Sequence, residues 1–350
     1  MIPLGFTIGS GEPVSIPLGH MVIVGQSQHA GKTTTLEAAA TRCQRKVIAF
    51  VTKRGEGSFR LAHEIPPYYE DSVDWRTVRG LCESITEERL DRMQRQAVRV
   101  ICRGGQLGRG KNLVAWEKPK SIADLKTIVE KILEKANGTR ELIYSEILDD
   151  LITVSDEIVK LPKADKVELQ SGLNVVDLEP FEFQLKSLVV KSFIQWVHTN
   201  ASRTIVVVPE AWKFAPAVRR SPVRDAAEEF IRQAAAMQNF LWVDSQNIST
   251  VSSGLLSQCT VWLFGVQRLA QEIQKTLDAI PEHLDPRPTK SDIAMLGKGQ
   301  FIACFGREMH ILYVQPAWMS ASHAQAIARG EESVESARQI VQDFDEEYRR

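Results

Sequence analysis

Residues 25–34 read GQSQHAGKTT and lie between a short apolar run, MVIV, and a stretch compatible with a helix. A chain of phosphates is bound by backbone N–H groups in such a loop, by the N-terminus of the next helix, by a lysine and by a hydroxyl that ligates Mg²⁺. Gly31, Lys32 and Thr33 match the end of the pattern G-x₄-GK[ST], but Gln26 stands at its first glycine, so counting from Gly25 the loop is one residue longer. We therefore predict a strand, a phosphate-binding loop and a helix rather than a chance glycine turn.

The residues expected to bind a nucleotide belong to this loop and to the first turn of the helix. They are Gly25, Gln28, His29, Ala30, Gly31, Lys32, Thr33 and Thr34, and Thr33 is also expected to ligate the metal.

Composition narrows the class of protein without indicating a partner. The chain has 350 residues, 43% hydrophobic and 25% charged. These fractions are typical of folded globular proteins and exclude a disordered, collagen-like or coiled-coil chain. The formal net charge is −1. Overall charge therefore predicts neither a nucleic-acid nor a membrane partner, and any such surface must be local.

Cysteine spacing and apolar runs indicate the compartment. The five cysteines form no CxxC pair and have no histidine at ligand spacing, which argues against a zinc site or a disulfide framework. No apolar run is long enough to span a bilayer, and the start, MIPLGFTIGSGEP, lacks the features of a signal peptide. We expect a cytoplasmic protein without a membrane partner.

Short apolar strands alternate with helical stretches over much of the chain. After the strand at 21–24 and the helix that follows Lys32, a second buried strand is predicted at 47–51, which completes a βαβ unit. Further apolar runs follow at 173–176, 204–208, 240–243 and 261–264, with helical patterns at 184–199 and 224–239 between them. This order predicts an α/β fold with a mainly parallel sheet. QFIACF and MHILYVQ, which flank Gly306, predict a C-terminal hairpin.

The remaining segments differ in pattern from this core. Residues 63–166 contain charged runs with one apolar face every 3.6 residues, and predict a helical insert. Residues 321–350 have no proline and few large apolar side chains, and predict an exposed helical tail. The predicted core is thus made of residues 1–62 and 167–320.

A carboxylate follows the apolar run TIVVV in the sequence TIVVVPEAWKF. In P-loop ATPases a strand beside the P-loop strand commonly ends in Asp, which holds the Mg²⁺ shell, followed by Glu, which polarises the attacking water. Glu210 fits the second role, and Pro209 occupies the first without a side-chain oxygen. The alternative for Glu210 is a surface residue at a strand end.

The run FLWVDSQN also ends in polar residues. Because the carboxyl ends of parallel strands share the ligand edge, Asp244 and Gln246 are expected to face the phosphates. Gln246 could orient water or sense the γ-phosphate. Asp244 could supply the metal-shell carboxylate that Pro209 lacks, or it could cap a helix or turn.

Taken together, MVIVGQSQHAGKTTT, VVVPEAWKF, WVDSQN and the approach GLNVVDLEPFEFQLKSLVVKSFIQWV resemble the HerA/FtsK branch of ring-forming ATPases, over about residues 1–62 and 170–317. The resemblance implies a RecA-like core, ATP and Mg²⁺ as ligands, and assembly into a homo-hexamer that moves on DNA. It implies Lys32 and Thr33 at the phosphates and Mg²⁺, Glu210 as catalytic base and Gln246 as sensor. The N-terminal β-barrel of full-length HerA-like proteins is expected to be absent.

Ring motors of this branch donate an arginine to the nucleotide of the neighbouring subunit, and the family places it between the catalytic Glu and the sensor strand. Arg232 matches that place, with Arg219, Arg220 and Arg224 as alternatives. The competing interpretation of Arg232 is a surface arginine paired with Glu228 or Glu229 one helical turn away.

Two basic segments could contact nucleic acid. Arg92, Arg95, Arg99 and Arg103 are spaced to share one helix face, and Arg109 and Lys111 follow in a glycine-rich loop. The alternative is a solvated face with salt bridges. The segment TKRGEGSFR, residues 52–60, follows the second strand and could contact either nucleotide or DNA.

These observations predict an ATP-driven hexameric motor on DNA. The alternative is a slowly hydrolysing, nucleotide-gated assembly module that regulates a nuclease or another effector, and the proline at position 209 favours it. A small-molecule kinase is the weakest interpretation, because nothing in the sequence resembles a substrate lid.

Overall fold

The computed structural model describes residues 1–26, 30–53, 59, 62–70, 73–86, 88–108, 110–158, 161, 166–280, 282 and 285–339. The strands are β1 (Ile2–Thr7), β2 (Pro13–Ile16), β3 (Met21–Val24), β4 (Lys46–Val51), β5 (His63–Glu64), β6 (Gly105–Leu107), β7 (Val114–Trp116), β8 (Leu173–Asp177), β9 (Thr204–Val208), β10 (Phe240–Ser245), β11 (Val261–Phe264), β12 (Gln300–Phe305) and β13 (Glu308–Val314).

The helices are α1 (Lys32–Arg42), α2 (Trp75–Ile85), α3 (Arg92–Arg103), α4 (Ile122–Leu133), α5 (Thr139–Ile158), α6 (Phe183–Asn200), α7 (Ala211–Phe214), α8 (Pro222–Gln233), α9 (Ser253–Leu256), α10 (Ala270–Ala279), α11 (Lys290–Ala294) and α12 (Ala321–Arg329).

Eleven of the described strands form one sheet, in the order β2-β1-β13-β12-β11-β3-β10-β9-β4-β8-β5. The strands from β11 to β5 are parallel, whereas the pairs from β11 to β2 are antiparallel. Every residue of β3, β9 and β11 is buried, as expected for parallel strands covered on both faces. The predicted α/β fold with a mainly parallel sheet is therefore confirmed.

The order of the central strands corrects one expectation. The strand that ends before Glu210 was expected beside the P-loop strand, but β10 lies between β3 and β9 and pairs in parallel with both. Val243 lies opposite both Val22 of β3 and Val208 of β9. The β10 strand therefore brings its carboxyl end between the phosphate loop and Glu210.

The segment before the P-loop strand is also part of the sheet. Strands β1 and β2 form an antiparallel hairpin, and β1 pairs with β13. The backbone of β1 approaches β13 closely at Gly5. A Cβ atom at this position would lie 2.0 Å from the Tyr313 carbonyl oxygen. The sequence pattern did not predict this hairpin, because its strands are short, contain prolines and pair across a register shift between Pro3 and Gly5.

The predicted insert contains helices α2 to α5 and the β6–β7 hairpin. Asp74, Asp91 and Ser121 accept backbone N–H bonds at the first turns of α2, α3 and α4, which satisfies donors that have no partner within the helix. The buried apolar side chains of these helices are continuous with the core around the sheet. The boundaries of core, insert and tail remain predictions.

The tail is packed where it is described. Ala324 and Ala328 of α12 are buried and form a cluster with Tyr313, Met319 and Ala337. Because these two side chains are small, α12 packs on β1 and β13 through this face, while its other residues are exposed or half-buried. Residues 340–350 lie outside the described residues.

All five cysteines are free and buried, and burial raises the pKa of Cys102, Cys259 and Cys304 to about 12. In the described part of the chain, no helix combines the length and apolar character needed to cross a membrane.

Candidate functional site

The phosphate-binding loop begins where β3 ends in the centre of the sheet. The Gly25 N–H donates to the Ser245 carbonyl at 3.2 Å, and the Gln26 N–H donates to the Val266 carbonyl at 2.9 Å. A Cβ atom at Gly25 would lie 2.7 Å from the Cβ of Ala30, so this position requires glycine. Gln28 and His29, expected to bind phosphate, lie outside the described residues.

Helix α1 begins directly after the loop. Gly31 is its N-cap, with a left-handed φ of 79° that glycine adopts without steric cost. Thr33 and Thr34 are half-buried in the first turn, where free N–H groups of the helix point outward. This combination of helix N-terminus and hydroxyl groups is suited to binding an anion.

Lys32 is almost fully buried at the start of α1, with 9% of its surface exposed. Its ammonium group donates a 2.9 Å hydrogen bond to the carbonyl of Gly25. Burial lowers the pKa of Lys32, and the nearby carboxylate of Asp244 opposes that shift. The lysine is thus held against the loop, with its charge oriented by backbone and carboxylate oxygens.

Glu210 follows the end of β9 by two residues and precedes α7. It has a left-handed backbone, with φ 49° and ψ 50°, and only 6% of its surface is exposed. A non-glycine residue in this conformation carries a backbone strain of about 1–3 kcal/mol, and such residues concentrate at functional sites. The conformation keeps the Glu210 side chain at the carboxyl edge of the sheet.

Asp244 joins Glu210 to the loop lysine. One oxygen of its carboxylate, Oδ1, accepts the Glu210 backbone N–H at 2.8 Å. Burial raises the pKa of Asp244, and the charge of Lys32 opposes that shift. Asp244 thus accepts the N–H of Glu210, the N-cap residue of α7, and the charge of Lys32 acts on its carboxylate. Its role in a metal shell or as the cap of a turn stays a prediction.

Two lysines that the sequence pattern did not single out contact Glu210. Lys53 lies 3.2 Å from Glu210 Oε1, and Lys213 donates to Oε2 at 3.1 Å. Lys213 is three residues beyond Glu210, a spacing that could have drawn attention to it. Lys53 belongs to the predicted 52–60 segment, of which Arg54, Gly55, Glu56, Gly57, Ser58 and Arg60 lie outside the described residues.

Known proteins resemble this chain in structure and not in sequence. No protein-family model and no curated protein sequence matches the chain. The structure is similar to that of VirB4 of Thermoanaerobacter pseudethanolicus, with a TM-score of 0.62 and 15% identity, covering 89% of this chain and 96% of that chain.

It is also similar to the plasmid coupling protein TrwB in complex with the non-hydrolysable ATP analogue ADPNP, with a TM-score of 0.55 and 11% identity over 89% of each chain. A TrwB structure with the GTP analogue GDPNP has a TM-score of 0.54 and 10% identity over 85% of each chain. The chain has the fold of the HerA/FtsK-type P-loop ATPases.

Within this HerA/FtsK-type fold, Gln246 comes directly after β10 and is half-buried. The preceding residue, Ser245, accepts the Gly25 N–H through its carbonyl oxygen. The backbone on which Gln246 is carried is thus hydrogen-bonded to the start of the phosphate loop. Its sensor role remains a prediction.

The described residues contain no cluster of three or more His, Cys, Asp or Glu side chains with metal-site geometry. What the site at this edge of the sheet offers is a hydroxyl at Thr33 and a carboxylate at Asp244. These hard oxygen ligands fit Mg²⁺, which keeps several waters and takes few protein ligands when it binds together with phosphates.

The candidate arginines on and before α8 have different surroundings. Arg224 is 14% exposed and bonds Glu228 at 2.8 Å and three backbone carbonyls. Arg220 bonds Asp225 at 2.7 Å. Arg232 is 58% exposed and lies 4.0 Å from Glu228. Arg232 is therefore able to reach a partner, whereas Arg224 and Arg220 stabilise the loop before α8.

The basic face predicted on the insert lies on α3. Arg92, Arg95, Arg99 and Arg103 are all exposed, and Lys111 is exposed in a short 3₁₀ helix. Arg109 lies outside the described residues. The fold establishes the position of this basic face on the insert.

Proposed function

We propose that this protein is an ATP-hydrolysing motor of the HerA/FtsK type that assembles into a homo-hexameric ring and translocates on DNA. The observation that carries the proposal is the linkage of Lys32, Asp244 and Glu210, which lie on the adjacent strands β3, β10 and β9 or in the segments that follow them. The Glu210 N–H donates to Asp244 at 2.8 Å, and the charge of Lys32 acts on the Asp244 carboxylate. A base, a phosphate-binding lysine and a metal-shell carboxylate at one edge are the parts that phosphoryl transfer to water requires.

In the proposed mechanism the N-terminus of α1 and the Lys32 ammonium bind the β- and γ-phosphates. Thr33 and Asp244 would hold Mg²⁺, which neutralises charge on the phosphate oxygens when it is bound. Glu210 accepts a proton from the attacking water, and Gln246 contacts the γ-phosphate or that water. Arg232 extends to the nucleotide of an adjacent copy of the chain.

A second function is supported by a specific contact. Both carboxylate oxygens of Glu210 are paired with lysines, Lys53 and Lys213. A base held in two ion pairs is less available to water, and Pro209 offers no metal ligand. A slow, nucleotide-gated assembly module that acts on a nuclease or another effector would have these features.

The substitution Lys32→Ala tests nucleotide binding, which both functions require. We expect loss of ATP affinity with an unchanged melting temperature, because Lys32 supplies the charge that faces the phosphates. The exposed Lys46→Ala variant is the matched control. Equal ATP affinity in the Lys32 and Lys46 variants would exclude the P-loop assignment.

A second pair of measurements separates the two functions. A motor is expected to hydrolyse ATP faster when duplex DNA is added, whereas a gate has no need to respond. A mass six times that of the 39.3 kDa chain in ATP and Mg²⁺ would support the ring. A monomeric mass under these conditions would exclude the ring and the arginine donated between subunits.

A further inference from the structure

A polar cavity of about 540 Å³ lies between the insert and the core. Its walls include Trp75 and Arg76 of α2, Arg99 of α3, and Arg220, Glu228 and Arg232 on and before α8. We call it the insert cavity. Five arginines and three carboxylates line it, so its own side chains leave a positive excess.

The carboxylates of the insert cavity are largely occupied. Asp225 accepts a hydrogen bond from Arg220 at 2.7 Å, and Glu228 accepts from Arg224 at 2.8 Å and from the Ser252 hydroxyl. Since these arginines and acids neutralise one another, the charge left for a ligand comes from other residues.

Two arginines of the cavity remain available. Arg76 and Arg99 make no ion pair with any carboxylate of the described residues, although the charge of Arg76 acts on Asp225 and opposes the rise of its pKa. Both are exposed, and Glu229 is the one acidic residue of the wall with no ion pair among the described side chains. Arg232 is assigned to the nucleotide of an adjacent copy in the proposed function and does not contribute to this charge. The free charge of the insert cavity is therefore positive.

Trp75 orients these two arginines. The Arg99 guanidinium lies 4.3 Å from the centre of the Trp75 ring, and that of Arg76 lies 5.9 Å from it. A guanidinium stacked on an aromatic face keeps its N–H edge free for two parallel hydrogen bonds to a phosphate. Because the ring already restricts Arg99, less side-chain entropy is lost when an anion binds.

The positive charge continues beyond the cavity. Arg92, Arg95 and Arg103 lie on the exposed face of α3 together with Arg99, separated by about 5–6 Å per helical turn. Residues 89–140 contain thirteen Lys and Arg against five Asp and Glu, a net charge of +8 in a chain of net charge −1. A row of this length can contact several anions of one polymer.

We propose that the insert cavity and the exposed face of α3 bind the phosphodiester backbone of a nucleic-acid strand. Protein partners are usually anchored by buried apolar side chains, and the wall of this cavity is charged or polar apart from Trp75, whose ring is covered by Arg99. A phosphate polymer needs no such anchor. The inference deepens the proposed function, on which it rests for the identity of the polymer.

The double variant Arg76→Ala/Arg99→Ala tests the site by fluorescence anisotropy with a labelled 30-nucleotide single strand and its duplex. We expect affinity to fall about tenfold at moderate salt. The slope of log affinity against log salt should become shallower by about 1.4 for the single strand, because each lost phosphate contact contributes about 0.7. The matched control is Arg287→Ala/Arg307→Ala, which removes two exposed arginines elsewhere.

Equal affinity and salt slope in the two double variants would overturn the proposal, as would displacement of DNA by poly-glutamate at equal charge concentration. If the double variant does not fold, Arg76→Ala alone carries the test, with half the change in slope. Lys32→Ala should retain DNA affinity within about twofold in the absence of ATP. Failure of the nucleotide site and failure of the insert cavity are thus observed separately.

Discussion

The backbone N–H of Glu210 donates a 2.8 Å hydrogen bond to the carboxylate of Asp244. The two residues are 34 positions apart, and the bond joins the ends of neighbouring parallel strands β9 and β10. A left-handed Glu210 needs a fixed acceptor for its N–H, and Asp244 supplies it while its charge faces Lys32. One carboxylate thus connects the proposed base to the proposed phosphate lysine.

The two roles of Asp244 are separable by substitution. Asp244→Asn retains an oxygen that can accept the Glu210 N–H but loses the negative charge. We expect the Mg²⁺ concentration for half-maximal ATPase activity to rise about tenfold or more, as for loss of a carboxylate from a metal's outer shell. Asp244→Ala should also lower kcat, because Glu210 loses its acceptor.

A magnesium titration of both variants, with Pro209→Asp as a third, decides the assignment. When Pro209→Asp is combined with Asp244→Asn, it should lower the Mg²⁺ concentration that the Asp244→Asn variant requires, because it restores a carboxylate near the same edge of the sheet. Unchanged midpoints in all variants would remove Asp244 from the metal shell and leave it only the positioning of Glu210.

The substitution Glu210→Gln keeps the backbone N–H and the shape of the side chain. We expect ATP affinity to be retained and turnover to fall about a hundredfold or more, the usual result of losing a general base. Steady-state turnover and nucleotide binding measure the two effects, and the exposed Glu331→Gln variant is the control. If turnover stays within about threefold of the wild type, the base lies elsewhere.

Arg232 can be tested across subunits by mixing two inactive variants. Arg232→Ala and Lys32→Ala should each abolish turnover, because one loses the donated arginine and the other the phosphate lysine. In a ring of heterologous interfaces, an active site needs an intact Lys32 from one subunit and an intact Arg232 from its neighbour. An equal mixture of the two variants should therefore regain activity at about a quarter of the sites. Wild-type turnover of Arg232→Ala, or no recovery on mixing, contradicts the assignment.

His20 predicts how stability depends on pH. Burial lowers its pKa from 6.5 to about 4, and its Nδ1 accepts the Leu241 N–H at 3.0 Å. Between pH 6.5 and 4 the unfolded chain binds a proton that the folded chain does not. The free energy of unfolding therefore falls as pH falls through this window, by up to about 3 kcal/mol.

Urea unfolding at pH 7 and pH 4 measures this dependence. His20→Gln retains an acceptor for the Leu241 N–H, and its free energy of unfolding should fall less than that of the wild type between pH 7 and pH 4. The control is His310→Gln, at a half-buried site beside Glu308, whose free energy of unfolding should fall about as much as that of the wild type. An equal pH dependence in wild type and His20→Gln would show that His20 does not titrate in this range.

Local patterns determined the central part of the fold and its site. The apolar runs at 21–24, 204–208 and 261–264 are strands with those bounds, because a fully buried parallel strand must be apolar on both faces. The loop, Lys32, Glu210 and Asp244 could be predicted from the same runs, since the polar residues that follow parallel strands share one edge of the sheet.

The order of the strands in the sheet is known only from the tertiary structure. The position of β10 between β3 and β9 brings Asp244 to the Glu210 N–H, and Lys53, which follows β4, and Lys213 of α7 both reach the Glu210 carboxylate. The insert cavity likewise joins α2 and α3 to α8, which begins more than a hundred residues further along the chain. Sequence periodicity reports which face of an element is buried, but strand order and helix docking depend on contacts between distant residues, for which the sequence has no local signal.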